Sequence, residues 1–304
     1  MKLNIKARIG LLSLLILPLF SAANAKDDPP LHLFLFIGGI NMEGKGHVKE
    51  RDIEACGDAL MWDSRAKSWV EARPPFSRMS PHSFIRKNNA HRHLGPGPSF
   101  VKEYTKANPG VRVGIINASR NVMDARDWQG RYIKTAIGIT KQALASQPEG
   151  AGKPVLKGVL WHGGGEAVQE GQLERYPKVL AEMIENLRKE LAGGKSLPVV
   201  FGQLETESDF AKLYYVPFNK MIVKQADVIP LTACVTTEGI KGHGMFFYSQ
   251  GYRDLGERYA KEMIQLLEEV HADGKNGMDS TTEKENQNAE QDGAGQPATR
   301  SESE

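Results

Sequence analysis

Four polar residues of this 304-residue chain have the types that acyl-transfer chemistry requires, and all four follow predicted strands. Ser119 could act as a nucleophile, with His162 or His243 as its base. Glu166 could supply the carboxylate that orients the imidazole. A structural interpretation is also open: Ser119 would cap a turn and His162 would pack beside Trp161. His243 would then be a solvated loop residue. The four residues show no metal-ligand spacing of a known type, so the sequence predicts neither a metal nor a cofactor.

Short apolar runs alternate with longer amphipathic runs, which predicts strands and helices in alternation. The predicted strands are Leu33–Ile37, Val111–Ile116, Leu156–Trp161, Pro198–Gln203 and Val228–Ala233. The predicted helices are Pro98–Ala107, Tyr132–Ser146, Leu173–Leu191, Lys212–Gln225 and Gln250–His271. This order implies an α/β fold, a three-layer sandwich in which helices flank a five-stranded parallel sheet.

The carboxyl ends of parallel strands form the ligand crevice of such a sheet. Four stretches follow strands and are expected there: Gly38–Gly46, Asn117–Asp127, His162–Ala167 and Thr236–Phe247. The first is a glycine-rich turn after an apolar strand, which is typical of an active-site loop. Its apex is Ile40, which has no catalytic group. The neighbouring Asn41 is expected to satisfy backbone groups of the turn.

The segment Glu50–His93 lacks a clear periodicity and contains Pro74-Pro75, two tryptophans and a basic patch. We predict a long loop over one edge of the sheet. Long loops often shape a substrate site, and a solvated charged loop is the alternative interpretation.

The two ends of the chain differ from its middle in composition. Residues 1–25 combine Lys2, Lys6 and Arg8 with a short apolar run and an Ala-Asn-Ala site. This predicts a signal peptide cleaved after Ala25, and an exported protein, periplasmic or secreted, with no membrane span after cleavage. Residues 273–304 have eight acidic and three basic residues and no aromatic residue, which predicts a disordered acidic tail. Residues 26–272 form the predicted folded domain.

The charge of the predicted domain is mild. The N-terminal segment carries +3 and the tail −5, which leaves +4 for residues 26–272 out of a whole-chain charge of +2. Basic residues are interspersed with acidic ones, and no stripe of basic and aromatic residues occurs. We therefore expect no nucleic-acid partner.

The chain has two cysteines, Cys56 and Cys234. In an exported protein they could form a disulfide between the loop after the first strand and the last strand. Two separate buried thiols are the alternative.

Several longer phrases give the chain a family resemblance. They are GPGPSFVKEY at Gly95–Tyr104, VRVGIINAS at Val111–Ser119, LKGVLWH at Leu156–His162, YPKVLAEMIENLRKEL at Tyr176–Leu191, LPVVFGQLE at Leu197–Glu205 and YRDLGERYA at Tyr252–Ala260. Through them, Leu31 to about Leu267 resembles the sialate O-acetylesterase-like domain of the SGNH hydrolase superfamily. That group includes the carbohydrate esterase family six acetyl xylan esterases. The resemblance implies an SGNH or flavodoxin-like sheet, acyl-transfer chemistry and a glycan ligand.

The resemblance also assigns the triad positions, and all three have lost their functional group. The family's first motif, Gly-Gln-Ser-Asn-Met, corresponds to Gly38–Met42, so Ile40 replaces the serine. The fourth motif, Asp-Gly-x-His-Phe, corresponds to His243–Phe247. His243 thus replaces the aspartate and Phe246 replaces the histidine. An isoleucine cannot attack a carbonyl, and a phenylalanine cannot accept a proton.

The motifs that would hold the oxyanion are altered as well. Arg120 and Asn121 replace a glycine pair of the second motif, so their backbones could still donate while their side chains crowd the acetyl group. In the third motif Gly163 replaces a glutamine. Gly39 and Asn41 complete the predicted crevice.

The sequence therefore predicts an exported, carbohydrate-acetylesterase-like pseudoenzyme that binds an acetylated or plain glycan. Trp62, Trp69 and Trp128 could contact the glycan or belong to the core. The alternative function is an active carbohydrate O-acetylesterase with a substitute nucleophile such as Ser119. A structural role in a cell-surface assembly is a third possibility.

Overall fold

A computed structural model describes residues 28–122, 124–168, 171–192 and 197–292, with side chains as far as residue 272. The predicted signal peptide and residues 293–304 lie outside the described residues.

The described residues form a sheet flanked by helices. The strands are β1 (Leu31–Gly38), β2 (Leu60–Asp63), β3 (Ser68–Glu71), β4 (Arg112–Asn117), β5 (Pro154–His162), β6 (Val199–Gly202), β7 (Thr232–Val235), β8 (Gly242–His243) and β9 (Phe246–Phe247). The helices are α1 (Ile40–Glu43), α2 (Glu50–Glu54), α3 (Gly97–Ala107), α4 (Arg131–Leu144), α5 (Gln172–Leu191), α6 (Asp209–Tyr214), α7 (Val216–Val228) and α8 (Ser249–Asp292).

The main sheet has the strand order β3-β2-β4-β1-β5-β6-β7. Its five strands β1, β4, β5, β6 and β7 are parallel and correspond to the five predicted strands, which confirms the α/β fold class. The strand count is seven rather than five, because β2 pairs in parallel with β4 and β3 pairs antiparallel with β2.

The additional strands lie in the segment 50–93, so the prediction of a long loop there is wrong in part. The segment contains α2 and the β2–β3 hairpin, in which Trp62 lies opposite Trp69 with ring centroids 5.3 Å apart. Strands of four residues are too short for their periodicity to be visible in the sequence. Pairing with β4 and burial of Trp62 stabilise them instead.

The central strand β1 is buried on both faces, because successive side chains of a strand point to opposite sides. Leu33, Leu35 and Ile37 pack into one apolar core with residues of α4, α5 and α7. Phe34 and Phe36 pack into a second core with residues of α3 and α8. The sheet therefore lies between two helical layers, with β1 at its centre.

Two predicted elements differ from the structure around residue 217. The predicted helix Lys212–Gln225 is divided into α6 and α7, because Pro217 stands in the first turn of α7 and cannot continue the preceding helix. Val228 ends α7, so the strand predicted at Val228–Ala233 begins only at Thr232.

The last helix, α8, reaches Asp292, beyond the predicted end at His271. The prediction of a disordered tail over residues 273–304 stays a prediction, since it falls partly on α8 and partly outside the described residues. Within the part of the chain that the structure describes, no helix has the length and apolar character needed to cross a bilayer.

The structure contradicts the predicted disulfide, because Cys56 and Cys234 are free thiols. Cys56 precedes β2, Cys234 lies in β7, and four strands separate β2 from β7. At about 4.8 Å per strand, this exceeds the roughly 4.4–6.8 Å that separates the Cα atoms of a disulfide. Burial raises the pKa of both thiols to about 12.

Candidate functional site

A cavity of about 230 Å³ lies at the carboxyl ends of β1 and β5. It is lined by Gly39, Ile40, Asn41, Asn121, Val122, His162, Gly163, Gly165, Glu166, Val168, Leu204, Tyr215 and Met245. All four stretches that the sequence placed at the crevice contribute to this lining.

The first turn is held tightly against the end of β5. Gly38 has a φ of +129°, which residues with a side chain rarely adopt. A Cβ atom at Gly38 would lie 2.4 Å from the carbonyl oxygen of His162. The N–H of Gly39 donates to the same oxygen over 2.8 Å. The turn thus presents Ile40 at the cavity.

Asn41 makes hydrogen bonds to groups outside its turn, whereas the sequence analysis expected it to satisfy backbone groups of the turn. Its Nδ2 donates to the carbonyl oxygen of Met245 over 3.0 Å, and its Oδ1 accepts from the hydroxyl of Tyr252 over 2.8 Å. Asn41 therefore joins the first turn to the segment that carries the fourth motif.

Ser119 is 1% exposed, does not line the cavity, and has its polar groups satisfied nearby. Its Oγ donates to Asn117 Oδ1 over 2.7 Å, and its N–H donates to the same atom over 3.1 Å. Its carbonyl oxygen accepts from Ser80 Oγ over 3.0 Å. Because a hydroxyl has one proton, Ser119 does not donate to a histidine in this arrangement.

The prediction that Arg120 crowds the crevice is wrong. Arg120 is not among the lining residues, and its guanidinium donates to the carbonyl oxygen of His82 over 3.1 Å and lies over the ring of Phe84 at 4.7 Å. The cation is held by these contacts because the aromatic face and the carbonyl both attract positive charge. Asn121 does line the cavity.

Three of the predicted oxyanion donors already have acceptors. The N–H of Gly39 bonds to His162, and the N–H of Arg120 donates to the carbonyl oxygen of Gly38 over 2.8 Å. The N–H of Asn121 donates to Glu43 Oε1 over 3.2 Å. None of the three is aimed at a substrate atom.

Gly163 has no space for the glutamine that the family motif would place there. A Cβ atom at this position would lie 2.4 Å from Cζ2 of Trp161. The indole of Trp161 is buried, donates to the hydroxyl of Tyr176 over 3.1 Å and packs edge-on against Trp128. The loss of the glutamine is therefore matched by the packing of this turn.

His162 is 1% exposed, and its hydrogen bonds define its tautomer. The hydroxyl of Tyr259 donates its one proton to the carbonyl oxygen of Trp161 over 2.7 Å. It must therefore accept the bond of 2.9 Å that joins it to His162 Nδ1, so Nδ1 carries the ring proton. Burial lowers the pKa of His162 to about 3 and keeps the ring neutral. Nε2 is then a lone-pair acceptor, and none of the described residues donates to it.

Glu166 is 6% exposed and is the second buried polar group of the cavity. Its Oε2 accepts from the N–H of Gly164 over 3.2 Å, while Oε1 has no partner in the part of the chain that the structure describes. Burial raises the pKa of this carboxyl to about 7, and the nearby Asp124 and Asp127 act in the same direction. The carboxyl of Glu166 therefore holds its proton close to neutral pH.

The fourth motif forms a hairpin, β8–β9, with Gly244 at its turn and a φ there of +60°. His243 is exposed and stacks on Tyr248, with 6.4 Å between ring centroids. Neither His243 nor Phe246 lines the cavity. Met245, between them, does.

The structure therefore brings together only part of the predicted substitute triad. His162 and Glu166 share the cavity, whereas Ser119 and His243 lie outside its lining. Among the described residues, no group of three or more His, Cys, Asp or Glu side chains could hold a metal ion.

The cavity also includes residues that the sequence analysis missed. Val168, Leu204 and Tyr215 lie outside the four predicted stretches, whereas Val122, Gly165 and Met245 lie within them but were not singled out. Leu204 could have been found, because it follows a predicted strand. Tyr215 lies between α6 and α7, and no pattern in the sequence indicates that it reaches the cavity.

The tryptophans proposed as glycan contacts pack in the interior. Trp62 and Trp128 are 2% and 1% exposed, and Trp69 donates from Nε1 to the carbonyl oxygen of Ser146 over 2.9 Å. None of them lines the cavity.

Comparisons with known proteins agree with this architecture. Residues 30–265 match the protein family described as "Carbohydrate esterase, sialic acid-specific acetylesterase". No curated protein matches the chain in sequence.

Two solved structures are similar in fold. A protein from Arabidopsis thaliana superposes with a TM-score of 0.63 at 18% identity, covering 78% of this chain and 99% of that one. NanS superposes with a TM-score of 0.61 at 12% identity, covering 80% of this chain and 99% of that one. At these identities the likeness concerns the fold alone.

Proposed function

This chain belongs to the carbohydrate esterase family of the sialic acid-specific acetylesterase type, and we propose that it has lost ester hydrolysis and uses its crevice to bind a carbohydrate. The family gives it a carbohydrate-acetylesterase-like fold. The proposal concerns what the altered crevice does.

One observation carries the proposal: Ile40 lines the cavity, and the motif resemblance of Gly38–Met42 implies a serine at this position in the family. A sec-butyl side chain has no atom that can attack an acetyl carbonyl. Met245, the neighbour of the Phe246 to which the resemblance assigns the base position, lines the cavity, and a thioether cannot take a proton from a nucleophile at neutral pH. Removing triad members together leaves at most the contribution of binding and of the oxyanion donors.

The rival function, an active esterase with Ser119 as nucleophile, has weaker support. Its hydroxyl is buried and directed to Asn117, and the cavity lining does not include it. His162 has the free lone pair that a base needs, but no hydroxyl or thiol donates to it.

Hydrolysis assays test the loss of activity. Purified protein is expected to give no turnover of 4-nitrophenyl acetate, acetyl xylan or an O-acetylated sialic acid above a heat-inactivated sample. Ser119→Ala and Ser99→Ala, prepared in parallel, provide a matched pair of serine variants. Turnover by the wild type that Ser119→Ala abolishes and Ser99→Ala retains would favour the active esterase and overturn the proposal.

Export belongs to the proposal as well, on the basis of the charged segment, apolar run and Ala-Asn-Ala site of residues 1–25. Expression of the full chain with N-terminal sequencing of the mature product tests it. A mature chain that begins at Lys26 is expected, and an intact N-terminus in the cytoplasmic fraction would contradict export.

A further inference from the structure

Two buried polar atoms of the cavity residues have no hydrogen-bond partner among the described residues: His162 Nε2 and Glu166 Oε1. Both side chains are more than nine-tenths buried. Buried polar atoms are rarely left unpaired, because each costs free energy unless a ligand or water satisfies it. The pair therefore indicates what the cavity is built to receive.

The two atoms differ in hydrogen-bonding character. The chain of bonds from His162 Nδ1 through Tyr259 to the Trp161 carbonyl leaves Nε2 as an acceptor only. Glu166 holds its proton near neutral pH because it is buried, so its free oxygen can donate. A ligand group that satisfies both must itself donate one hydrogen bond and accept another.

The rest of the cavity limits the class of ligand. Ile40, Val122, Val168 and Leu204 are apolar and line the same space. With a volume of about 230 Å³, the cavity is larger than the roughly 150 Å³ that holds a benzene molecule. Apolar walls with a small number of polar groups are typical of a site for a small neutral ligand.

We infer that this cavity binds a free hydroxyl group of a carbohydrate, and not an acetyl ester, with the hydroxyl donating to His162 Nε2 and accepting from Glu166. The inference rests on the proposed function and deepens it, because it chooses the plain glycan over the acetylated one.

An acetyl ester cannot make the same pair of bonds, because its carbonyl and ether oxygens only accept. It could pair with Glu166 but would leave the lone pair of His162 Nε2 buried and unsatisfied. A site built to bond a hydroxyl discriminates strongly against an analogue without one, for the same reason.

Tyr259 is the positioning residue of this site. It lies behind His162, away from the ligand, and it selects the tautomer whose Nε2 is free to accept. Its phenol stays protonated, since burial raises the pKa of Tyr259 well above its ordinary value.

Calorimetric titration with matched ligands tests the inference. The probes are the methyl glycosides of xylose and galactose, each beside its fully O-acetylated form, in which no hydroxyl remains to donate a hydrogen bond. At least one free glycoside is expected to bind, with its acetylated partner at least tenfold weaker.

Two variants test whether the free glycoside binds at His162. His162→Phe keeps a planar ring and removes the acceptor, so it should weaken the free glycoside at least tenfold. His82→Phe is the matched control, because His82 also has an unpartnered Nε2 and does not line the cavity. It should bind like the wild type.

Nitrogen NMR of the His162 imidazole tests whether Tyr259 sets the tautomer. A residue with a purely structural role would not change these nitrogen signals. In the wild type His162 should show a protonated Nδ1 and an unprotonated Nε2, and the bound glycoside should shift the Nε2 signal. In Tyr259→Phe the proton should redistribute between the two nitrogens, with a loss of affinity.

The outcomes separate the inference from the proposed function. Acetylated glycosides that bind as well as the free ones, or better, would overturn the inference and leave carbohydrate binding intact. Binding of a free glycoside that His162→Phe leaves unchanged would also overturn it. If no glycoside of either form binds, the binding half of the proposed function fails together with the inference.

Discussion

At the carboxyl end of β4, Ser119 has partners for its hydroxyl, its N–H and its carbonyl. At the carboxyl end of β5, His162 and Glu166 each keep a polar atom without one. The two strands flank β1, and both ends carry residues that could take part in acyl transfer. The difference lies in their surroundings. The polar groups of Ser119 are hydrogen-bonded to nearby residues, whereas His162 and Glu166 each have one buried polar atom without a partner among the described residues. Residue type alone does not show whether a polar group is available to a ligand.

The largest expected effect is a loss of stability when the contact between the first turn and the end of β5 is disrupted. Gly38→Ala should destabilise the protein by about 3 to 5 kcal/mol or prevent folding, because its Cβ would strike the His162 carbonyl at a positive φ. Chemical denaturation measures the change.

Gly39→Ala is the control for this position. A Cβ atom at Gly39 meets no atom closer than 3.8 Å, so the substitution should cost less than about 1 kcal/mol. Equal effects of the two substitutions would show that the contact with β5 does not hold the turn.

Glu166→Gln should stabilise the protein at alkaline pH. The folded-state pKa of Glu166 is about 7, above its ordinary 4.5, so its contribution to stability is complete below pH 4.5 and is lost as pH rises through 7. At pH 8 the ionisation of Glu166 has lowered the free energy of unfolding of the wild type by up to about 3 kcal/mol. The neutral glutamine variant does not undergo this loss. The free energies of unfolding of the two proteins should differ at pH 8 and converge at pH 4.

The exposed Glu174→Gln serves as the comparison, because that carboxyl is not buried on folding. A difference between Glu166→Gln and the wild type that stays constant from pH 4 to pH 8 would refute the buried, proton-holding carboxyl.

Ser119→Ala should have a smaller, purely structural effect. It removes one of the two donors to Asn117 Oδ1 and should cost about 1 to 2 kcal/mol in urea unfolding. Glycoside affinity should stay at the wild-type value. A loss of affinity would place Ser119 in the site and weaken the contrast between the two strand ends.

The smallest expected effect is that of restoring the family motif. Ile40→Ser with His243→Asp and Phe246→His should hydrolyse 4-nitrophenyl acetate no faster than Ile40→Ser alone, because positions 243 and 246 lie outside the cavity lining. Ile40→Ser with Met245→His puts both groups at the cavity, and a gain of less than about 100-fold is expected from an unoptimised base. Full recovery by the motif-guided triple variant would show that the hairpin rearranges.

Much of the fold follows from the sequence, since the five parallel strands and most of the helices have clear periodicity. The β2–β3 hairpin does not, because four-residue strands acquire stability only by pairing with β4. The disulfide prediction failed for a related reason. Oxidising conditions make a bridge between two cysteines possible, but the distance between β2 and β7 is set by the strand order.

The sequence by itself determined the class of fold, the position of the crevice and the absence of a nucleophile at Ile40, because periodicity and residue type are local properties. Only the tertiary structure decided which polar atoms are satisfied. The bond from Tyr259 on α8 to His162 on β5 spans 97 positions of the chain, and it sets the tautomer. The hairpin that carries Met245, and not Phe246, to the cavity is likewise held by Asn41 from the opposite end of the sequence. Hydrogen-bond satisfaction and burial depend on neighbours that are distant in the chain, so no local pattern records them.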